Sequence, residues 1–328
     1  WNKFIQLLNK IKRFILLIFV VIIIIAFILI GSLAFYSNKT GKLTQNITVD
    51  IPKLSSLSKI ASILEDNLII NNKNYFIIYS YITRKAKLLK AGEYYFNKNI
   101  SQKDVLNKLY NNEIKWYKFV VPECYSNKQI FEKIKKNIYI IDKYIAYSEG
   151  AFFPNTYYFS KDTKASYLLE IMQKHAKIKF SNIYNDNKDN KSNILKNINE
   201  VIILASIVEA EAKKKEDKSK IAAVFLNRLQ KGMRLQSDPT VIYGITKTVH
   251  IDRSLKKSDL LIDHPWNTYR ITGLPSTPIC NVGVDAILAV LNPENSSYLY
   301  FVADGKGGHI FSETYEEHKR QVNKIYKK

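Results

Sequence analysis

A long unbroken apolar run dominates the hydrophobic pattern near the start of the chain. Residues 14–35 are almost entirely Ile, Leu, Val, Phe and Ala, and at ~1.5 Å per residue a helix of that length crosses the ~30 Å hydrocarbon core of a bilayer. The pattern therefore predicts a transmembrane helix over residues 14–35. A cleaved signal peptide is the alternative, because Ser32-Leu33-Ala34 could serve as a cleavage site, but the run exceeds the usual ~7–15 residues of such a segment.

Positive charges flank this run unequally. More cations precede it than follow it: Lys3, Lys10, Lys12 and Arg13 come before, and Lys39 and Lys42 come after. An excess of cations marks the cytoplasmic side of a membrane helix. We therefore expect residues 1–13 to form a cytoplasmic tail and the rest of the chain to lie outside the cytoplasm.

Beyond the apolar run, the pattern alternates between helix and strand. Residues 39–50 are polar and predict a short stalk, and Ser101 is a predicted N-cap. Helical spacing is found over residues 54–64 and 127–137, and strand-like composition over residues 75–82, 94–96 and 116–121. The fold class is therefore α+β. The stalk and a small α+β subdomain are assigned to residues 36–120, and a larger mixed α+β domain to residues 121–328.

The larger domain contains an apolar segment that ends in an acidic residue. Residues 201–208 are continuously apolar and are followed by Glu209, with Asn199 as the predicted N-cap. Alanines and a lysine-rich stretch after Glu209 favour helix over strand, and the helical pattern resumes over residues 220–229. Upstream, residues 181–199 are mostly Asn, Lys, Asp and Ser, a composition that predicts a solvated loop.

Glu209 is the candidate catalytic residue of this segment. A carboxyl group at the edge of an apolar core loses solvation, which keeps it protonated nearer neutral pH and suits it to general acid catalysis. The alternative is that Glu209 begins a solvated face together with Glu211. At ~100° per residue, Glu211 lies ~200° round the helix from Glu209. The two side chains therefore cannot point into one cleft, and a site on this helix has a single carboxyl group.

The charge and cysteine content narrow the possible partners. The net charge is +21 and the pI is about 9.6, but the lysines are dispersed among Asn, Ile and Tyr along the whole chain. We interpret this as a compositional bias that attracts anionic polymers in general, and we predict no nucleic-acid partner. The two cysteines, Cys124 and Cys280, lack the spacing of a zinc site. They could pair in an oxidising compartment, but the sequence does not show that they meet. No metal and no cofactor are predicted.

Several long motifs, in a consistent order, resemble the endolytic murein transglycosylases of the MltG/YceG type. The motifs are Glu149-Gly150, Phe153-Pro154-Asn155-Thr156-Tyr157, Leu204-Ala205-Ser206-Ile207-Val208-Glu209, Val224-Phe225-Leu226-Asn227-Arg228-Leu229, Leu235-Gln236-Ser237-Asp238-Pro239-Thr240-Val241-Ile242-Tyr243-Gly244, Trp266-Asn267-Thr268-Tyr269, Gly273-Leu274-Pro275, Tyr298-Leu299-Tyr300-Phe301-Val302-Ala303 and His309-Ile310-Phe311-Ser312. One departure is that Cys124 stands in Pro122-Glu123-Cys124 where the family usually has Gly. The likeness covers nearly the whole chain, and residues 45–120 resemble the family's LysM-like subdomain.

The resemblance implies a membrane-anchored enzyme in the cytoplasmic membrane of a bacterium. It would cleave the β-1,4 bond between N-acetylmuramic acid and N-acetylglucosamine in nascent peptidoglycan, leave 1,6-anhydro ends and limit the length of glycan strands. Glu209 matches the family's catalytic acid. Residues with amide, hydroxyl and aromatic groups suited to N-acetylated sugars are assigned to substrate binding: Gln236, Ser237, Asp238, Asn267, Thr268 and Tyr269.

The implied partners are glycan strands, the lipid bilayer around residues 14–35, and cell-wall synthases as candidates. His309 and His318 are expected to be structural, because no Ser or Cys nucleophile motif accompanies them. Two alternatives remain open. The first is a muramidase, in which water attacks in place of the substrate's own hydroxyl group. The second is a non-catalytic scaffold protein that binds the wall through the LysM-like subdomain and in which Glu209 has no catalytic role.

Overall fold

The chain forms two compact units, spanning Trp1–Tyr117 and Lys118–Lys328. The structure is a computed structural model that describes residues 1–142, 146–187 and 194–326. Both units combine helices with short strands, as the predicted α+β class requires.

Unit 1 begins with a long apolar helix and continues as a strand, two helices, a second strand and a last helix. Its elements are α1 (Asn2–Asn38), β1 (Ile47–Ile51), α2 (Leu57–Asp66), α3 (Lys73–Ile82), β2 (Gly92–Phe96) and α4 (Gln102–Tyr110). In the described part of the chain, α1 is the helix that is long and apolar enough to cross a membrane, with a mean hydropathy of 3.6 over its most apolar stretch. Ser101 caps α4, as predicted, by accepting a hydrogen bond from the backbone N–H of Asp104.

An apolar core stabilises unit 1 between its strand pair and its helices. Strands β1 and β2 run antiparallel, with Ile47 opposite Phe96 and Ile51 opposite Gly92. Alternate side chains of the two strands therefore point into the core, where they meet the buried faces of the helices. The large buried residues are Ile51, Ile60, Leu64, Phe76, Tyr94, Phe96, Leu106 and Leu109. No comparison tests whether this unit is LysM-like, so that assignment stays a prediction.

The strand predicted over residues 75–82 is wrong, because this segment is helix α3. The Asn72 side chain accepts hydrogen bonds from the backbone N–H groups of Asn74 and Tyr75, which fixes the start of the helix. Phe76 and Ser80, one turn apart, form its buried face. The N-cap at Asn72 and the burial of this face outweigh the β-propensity of the Tyr and Ile residues on the opposite face of the helix.

The predicted stalk over residues 39–50 is also wrong, because the chain is packed there. The backbone N–H of Gly41 donates to Ile100 O, that of Lys42 donates to Leu68 O, and β1 begins at Ile47. A Cβ atom at Gly41 would collide with Ile69 O, so this close approach requires glycine. The segment is therefore part of unit 1 and not a free linker.

Unit 2 is mainly helical, with strands that pair two by two in its described residues. The elements from the end of unit 1 onward are β3 (Tyr117–Val121), α5 (Asn127–Lys136), β4 (Ile140–Ile141), β5 (Asn155–Phe159), β6 (Thr163–Lys164), α6 (Ala165–Asp186), α7 (Ile198–Glu211), α8 (Lys218–Gln230), α9 (Asp238–Thr246), α10 (Val284–Leu291), β7 (Tyr300–Ala303), β8 (His309–Ser312) and α11 (Tyr315–Tyr326). The solvated loop predicted over residues 181–199 is wrong for residues 181–186, which extend α6, and for residues 198–199, which begin α7. Residues 188–193 lie outside the described residues.

Helix α7 lies at the centre of unit 2 and packs against α8 and α10. Its residues from Leu204 to Glu209 are all buried, which explains the continuous apolar run in the sequence. The N-cap is Asn197 and not the predicted Asn199, since the Asn197 side chain accepts a hydrogen bond from Glu200 N at 3.1 Å. Burial of each large apolar side chain contributes roughly 1.5–3 kcal/mol, so the position of this helix is strongly fixed.

Candidate active site

Two glutamates near the end of α7 point to different surroundings. Glu209 contacts Lys218 of α8 and the backbone at Gly283, whereas Glu211 contacts Ser237 at the start of α9. This agrees with the ~200° separation that the helical geometry predicts for residues two positions apart. The two carboxyl groups do not share a contact, so each is considered separately.

Glu209 takes part in a buried salt bridge. Its Oε1 lies 2.6 Å from Lys218 Nζ, and its Oε2 accepts a hydrogen bond from the Gly283 backbone N–H at 3.2 Å. Only 8% of Glu209 and 7% of Lys218 is exposed. Removing one partner of such a pair leaves an uncompensated buried charge, which is costly. This environment gives Glu209 a clear role in holding α7, α8 and the segment before α10 together.

Glu123 adds a second carboxyl group beside the same lysine. Its Oε2 lies 3.8 Å from Lys218 Nζ, and more than half of its side chain is exposed. Partial burial raises the pKa of Glu123, the nearby Glu209 carboxylate raises it further, and Lys218 acts in the opposite direction. A Cβ atom at Gly283 would collide with the Glu123 carboxyl group. The absence of a side chain at Gly283 thus lets Glu123 approach this cluster.

Glu211 lies beside the predicted substrate-binding residues. Its Oε1 accepts a hydrogen bond from Ser237 Oγ at 2.6 Å. The next residue, Asp238, accepts a hydrogen bond from the Tyr269 hydroxyl at 2.7 Å. The backbone N–H of Ser237 donates to Thr268 Oγ1 at 2.9 Å. The two predicted binding segments therefore come together, and they do so next to Glu211.

The other two predicted binding residues shape the backbone of this site. The Gln236 N–H donates to Thr268 O at 3.1 Å, with Gln236 at a φ of 50°. Asn267 is fully buried, and its amide group donates to the carbonyls of Leu260 and Ile262 while its Oδ1 accepts from Tyr269 N. Asn267 therefore supports the loop that carries Tyr269 and does not present its own side chain to a ligand.

Burial gives Glu211 an unusual protonation behaviour. Loss of solvation raises the pKa of Glu211 to about 7, the Ser237 hydrogen bond lowers it, the Asp238 charge raises it and Arg228 lowers it. A carboxyl group with a pKa near the working pH can both donate and accept a proton at useful rates. Glu211 therefore has the protonation behaviour that suits a general acid.

Arg228 is a candidate site residue to which the sequence analysis gave no role. It is 7% exposed, and its guanidinium group donates to the carbonyls of Leu299 and Leu235, each at 2.7 Å. The same group lies 5.3 Å above the Tyr300 ring. The charge of Arg228 opposes the rise in the pKa of Glu211. The feature of the sequence that could have indicated Arg228 is an arginine within an apolar helical pattern, in the motif Asn227-Arg228-Leu229.

A further carboxyl group with a raised pKa belongs to Glu149. Burial raises the pKa of Glu149 to about 7, against hydrogen bonds from the backbone of Asn127, the Tyr243 hydroxyl and the backbone of Gly150. Three donors thus hold this side chain and link three segments of unit 2. A cavity of about 480 Å³ lies beside it, lined in part by Phe180 and by the first turns of α7.

The two histidines of the late motifs contact residues other than Glu211. His309 Nδ1 lies 2.9 Å from Asp217 Oδ2, which connects β8 to the turn before α8. His318 stacks on Tyr300 with ring centroids 5.4 Å apart. Both contacts hold the C-terminal strand pair and α11 in place, which fits the predicted structural role.

The fold and the site together define an α+β protein with an N-terminal apolar helix and a candidate acid–base site at the end of a buried helix. The chain belongs to the YceG-like family, whose sequence profile matches residues 49–324.

Comparisons with individual proteins support this assignment. The chain is 35% identical over 319 residues to the endolytic murein transglycosylase of Bacillus subtilis, covering 87% of this chain and 86% of that protein. It is 28% identical to the endolytic murein transglycosylase of Streptococcus pneumoniae, covering 84% of this chain and 58% of that protein. A crystal structure of a YceG-like protein from Listeria monocytogenes is similar with a TM-score of 0.53 and 33% identity, covering 84% of this chain and 99% of the other.

Proposed function

We propose that this chain is an endolytic lytic transglycosylase that cuts peptidoglycan glycan strands, with Glu211 as its acid–base residue. The family membership and the names of the relatives from B. subtilis and S. pneumoniae support the reaction class. The observation that carries the choice of residue is the Ser237–Glu211 contact, because it joins a carboxyl group of raised pKa to the predicted binding segments.

The proposed reaction needs one protein carboxyl group. Protonated Glu211 donates its proton to the glycosidic oxygen as the bond from C1 of N-acetylmuramic acid breaks. The C6 hydroxyl of the same sugar attacks C1, and its proton passes to the Glu211 carboxylate, which regenerates the acid. Ordinary glycosidases use two carboxyl groups. Here the nucleophile is tethered to the reacting sugar, and intramolecular attack has a large effective concentration.

Glu209 remains the alternative acid, as the sequence motif predicts. Its contacts argue against this role, because the buried Lys218 ammonium group already engages Oε1 and the Gly283 N–H already engages Oε2. Glu211, by contrast, combines partial burial with a contact to a single hydroxyl donor. These differences favour Glu211, and the paired substitutions described in the Discussion distinguish the two.

Three side chains near Glu211 are proposed to bind the substrate, because they reach the surface: Gln236, Asp238 and Tyr269. They supply an amide, an acceptor and an aromatic face with a polar edge, which are groups that bind N-acetylated sugars. Ser237 and Thr268 are buried and hold the two binding segments together. The Tyr269–Asp238 hydrogen bond fixes both side chains in the free protein. Such preorganisation reduces the entropy lost on binding.

Product analysis tests the reaction class. Purified protein incubated with intact sacculi is expected to release fragments ending in 1,6-anhydro-N-acetylmuramic acid, which are lighter by one water than the reducing ends of hydrolytic products. Mass spectrometry of the fragments distinguishes the two ends. Reducing ends alone would show a muramidase, and binding of sacculi without any cleavage would favour the scaffold alternative.

We further propose that α1 anchors the protein in the cytoplasmic membrane, with unit 2 and the part of unit 1 that follows α1 outside the cytoplasm. The apolar length of α1 and the cations before it support this proposal. The chain is therefore expected to stay in the membrane fraction in alkaline carbonate, and a protease added outside spheroplasts should degrade unit 2 and the part of unit 1 that follows α1. Release by carbonate, or a mature N-terminus near residue 35, would instead indicate a cleaved signal peptide.

A further inference from the structure

The two cysteines, far apart in sequence, meet inside unit 2. Cys124 Sγ and Cys280 Sγ lie 2.7 Å apart although 156 positions separate them. Cys280 is fully buried and Cys124 is partly exposed. We propose that these thiols are oxidised to a disulfide in the mature protein, creating a covalent cross-link between the segment before α5 and the segment before α10. The inference rests on the proposed location of unit 2 outside the cytoplasm, since disulfides persist in oxidising compartments.

Backbone hydrogen bonds already hold the two segments in register for this bond. The Cys124 N–H donates to Asn281 O at 2.9 Å, and the Asn281 N–H donates to Tyr125 O at 2.9 Å. The Asn281 side chain also donates to Tyr125 O and to Asn127 Oδ1. A disulfide requires a close approach of the two backbones and suitably directed Cβ atoms. This hydrogen-bonded ladder supplies the close approach, so bond formation needs little movement of the chain.

The backbone conformation of Cys124 is an independent observation. Its φ is 60°, in the left-handed region that favours glycine. Residues with side chains persist in this region when the surrounding structure determines their position. In this conformation the Cys124 thiol lies against Cys280.

The different exposure of the two thiols sets the order of the exchange steps. Burial raises the pKa of Cys280, and the neighbouring Cys124 raises it further. The partly exposed Cys124 is therefore the sulfur that first attacks the disulfide of an external thiol oxidoreductase, forming a mixed disulfide and releasing one thiol. Cys280 then attacks the Cys124 sulfur and releases the second thiol. Two electrons and two protons pass from the cysteines to the oxidoreductase, whose disulfide is reduced.

The cross-link would stabilise the surroundings of the buried salt bridge. Glu123, next to Cys124, lies beside Lys218, and the N–H of Gly283, three residues after Cys280, donates to Glu209. Tying these two segments together limits how far they can separate in the unfolded chain. The expected consequence is higher stability of unit 2, with no direct part in glycan cleavage.

Thiol trapping tests the proposal without relying on activity. Membranes containing the full chain are quenched with acid, unfolded in guanidinium and treated with iodoacetamide, before or after reduction with dithiothreitol. Intact-mass measurement is expected to show no alkylation before reduction and two alkylated cysteines after it. Two alkylated cysteines in the unreduced sample would overturn the proposal, whatever the protein does to glycan.

A stability measurement provides the matched control. Dithiothreitol should lower the urea midpoint of the full chain in detergent, followed by the fluorescence of Trp266 in a Trp1→Phe/Trp116→Phe background. The Cys124→Ser and Cys280→Ser variants should unfold at the lower midpoint with or without dithiothreitol. A wild-type midpoint that dithiothreitol leaves unchanged would also overturn the proposal, and this comparison needs no substitution at either cysteine.

Discussion

Replacement of Glu211 by glutamine is expected to slow glycan cleavage by ~10²–10⁴-fold, the usual contribution of a general acid–base residue. Glutamine keeps the shape of the side chain and can still accept the Ser237 hydrogen bond, but it has no proton of suitable acidity to donate. The folded structure should survive, because a neutral amide replaces a carboxyl group that burial already disfavours in its charged form. The rate of release of fragments from sacculi, together with the thermal unfolding midpoint, measures both effects.

Glu209→Gln is the matched control, since it makes the same chemical change two residues earlier on α7. We expect it to lower the stability of unit 2 through the loss of the Lys218 salt bridge, while cleavage below the unfolding temperature stays within about tenfold of wild type. The reverse pattern, with Glu209→Gln folded but inactive and Glu211→Gln active, would return the catalytic role to Glu209. If both variants retain activity, neither carboxyl group on α7 is the acid.

The pH profile gives a second readout for Glu211. Because the proton donor is the protonated form, cleavage should fall as the pH rises through about 7, where the pKa of Glu211 lies.

The raised pKa of Glu211 also makes the stability of unit 2 depend on pH. The pKa is raised above its ordinary value of 4.5, so the folded state holds the proton more tightly, and this stabilisation is present at acid pH and lost between about pH 4.5 and 7. The Glu211→Gln variant has no carboxyl group to titrate at this position, so the part of the stability loss that Glu211 causes should be absent from its pH profile.

Replacement of Lys218 by methionine is expected to destabilise unit 2 by about 3–5 kcal/mol, the usual cost of removing one partner from a buried ion pair. Methionine fills much of the space of the lysine stem, so the loss arises mainly from the uncompensated Glu209 carboxylate. Urea unfolding of the full chain in detergent, followed by Trp266 fluorescence in a background without the other two tryptophans, provides the measurement.

Two further variants serve as controls for the Lys218→Met prediction. Lys215→Met removes the cation of the exposed Lys215–Asp285 pair, in which 71% of the lysine side chain is accessible, and solvent screening should leave the midpoint nearly unchanged. Combining Lys218→Met with Glu209→Gln should recover part of the loss, because the buried carboxyl group is removed together with its cation and the remaining Glu123 side chain is more than half exposed. A single Lys218→Met variant as stable as wild type would show that the Glu209–Lys218 contact contributes little to folding.

The sequence predicted the buried helix of unit 2 and the divergence of its two glutamates, because both follow from local periodicity. An apolar run of that length must be buried, and residues two positions apart on a helix must face different ways. The sequence assigned the site to Glu209, whereas the glutamate that contacts the predicted binding segments is Glu211. That contact depends on where the loop from Gln236 to Asp238 packs, and this placement arises from contacts distant in sequence, such as Ser237 with Thr268.

The errors in unit 1 have a similar cause. Tyr and Ile residues over 75–82 favour a strand when considered alone, yet a single capping side chain, Asn72, and the buried pair Phe76 and Ser80 determine a helix. Residues 39–50 are polar as a flexible linker would be, but their backbone groups pair with neighbours such as Ile100. Composition describes side chains, and both errors arose where backbone pairing or capping decided the structure.

The junction between α1 and the rest of unit 1 determines how far the protein can reach. A flexible linker over residues 39–50 would have an end-to-end distance of about 20 Å. Instead, the Tyr36 ring stacks on Tyr75 at 4.4 Å, and Gly41 pairs with the backbone of Ile100. With α1 in the bilayer as proposed, these contacts hold the rest of unit 1 close to the membrane surface. Without a flexible spacer, any glycan that unit 1 retains would be held at a short and nearly constant distance from the bilayer.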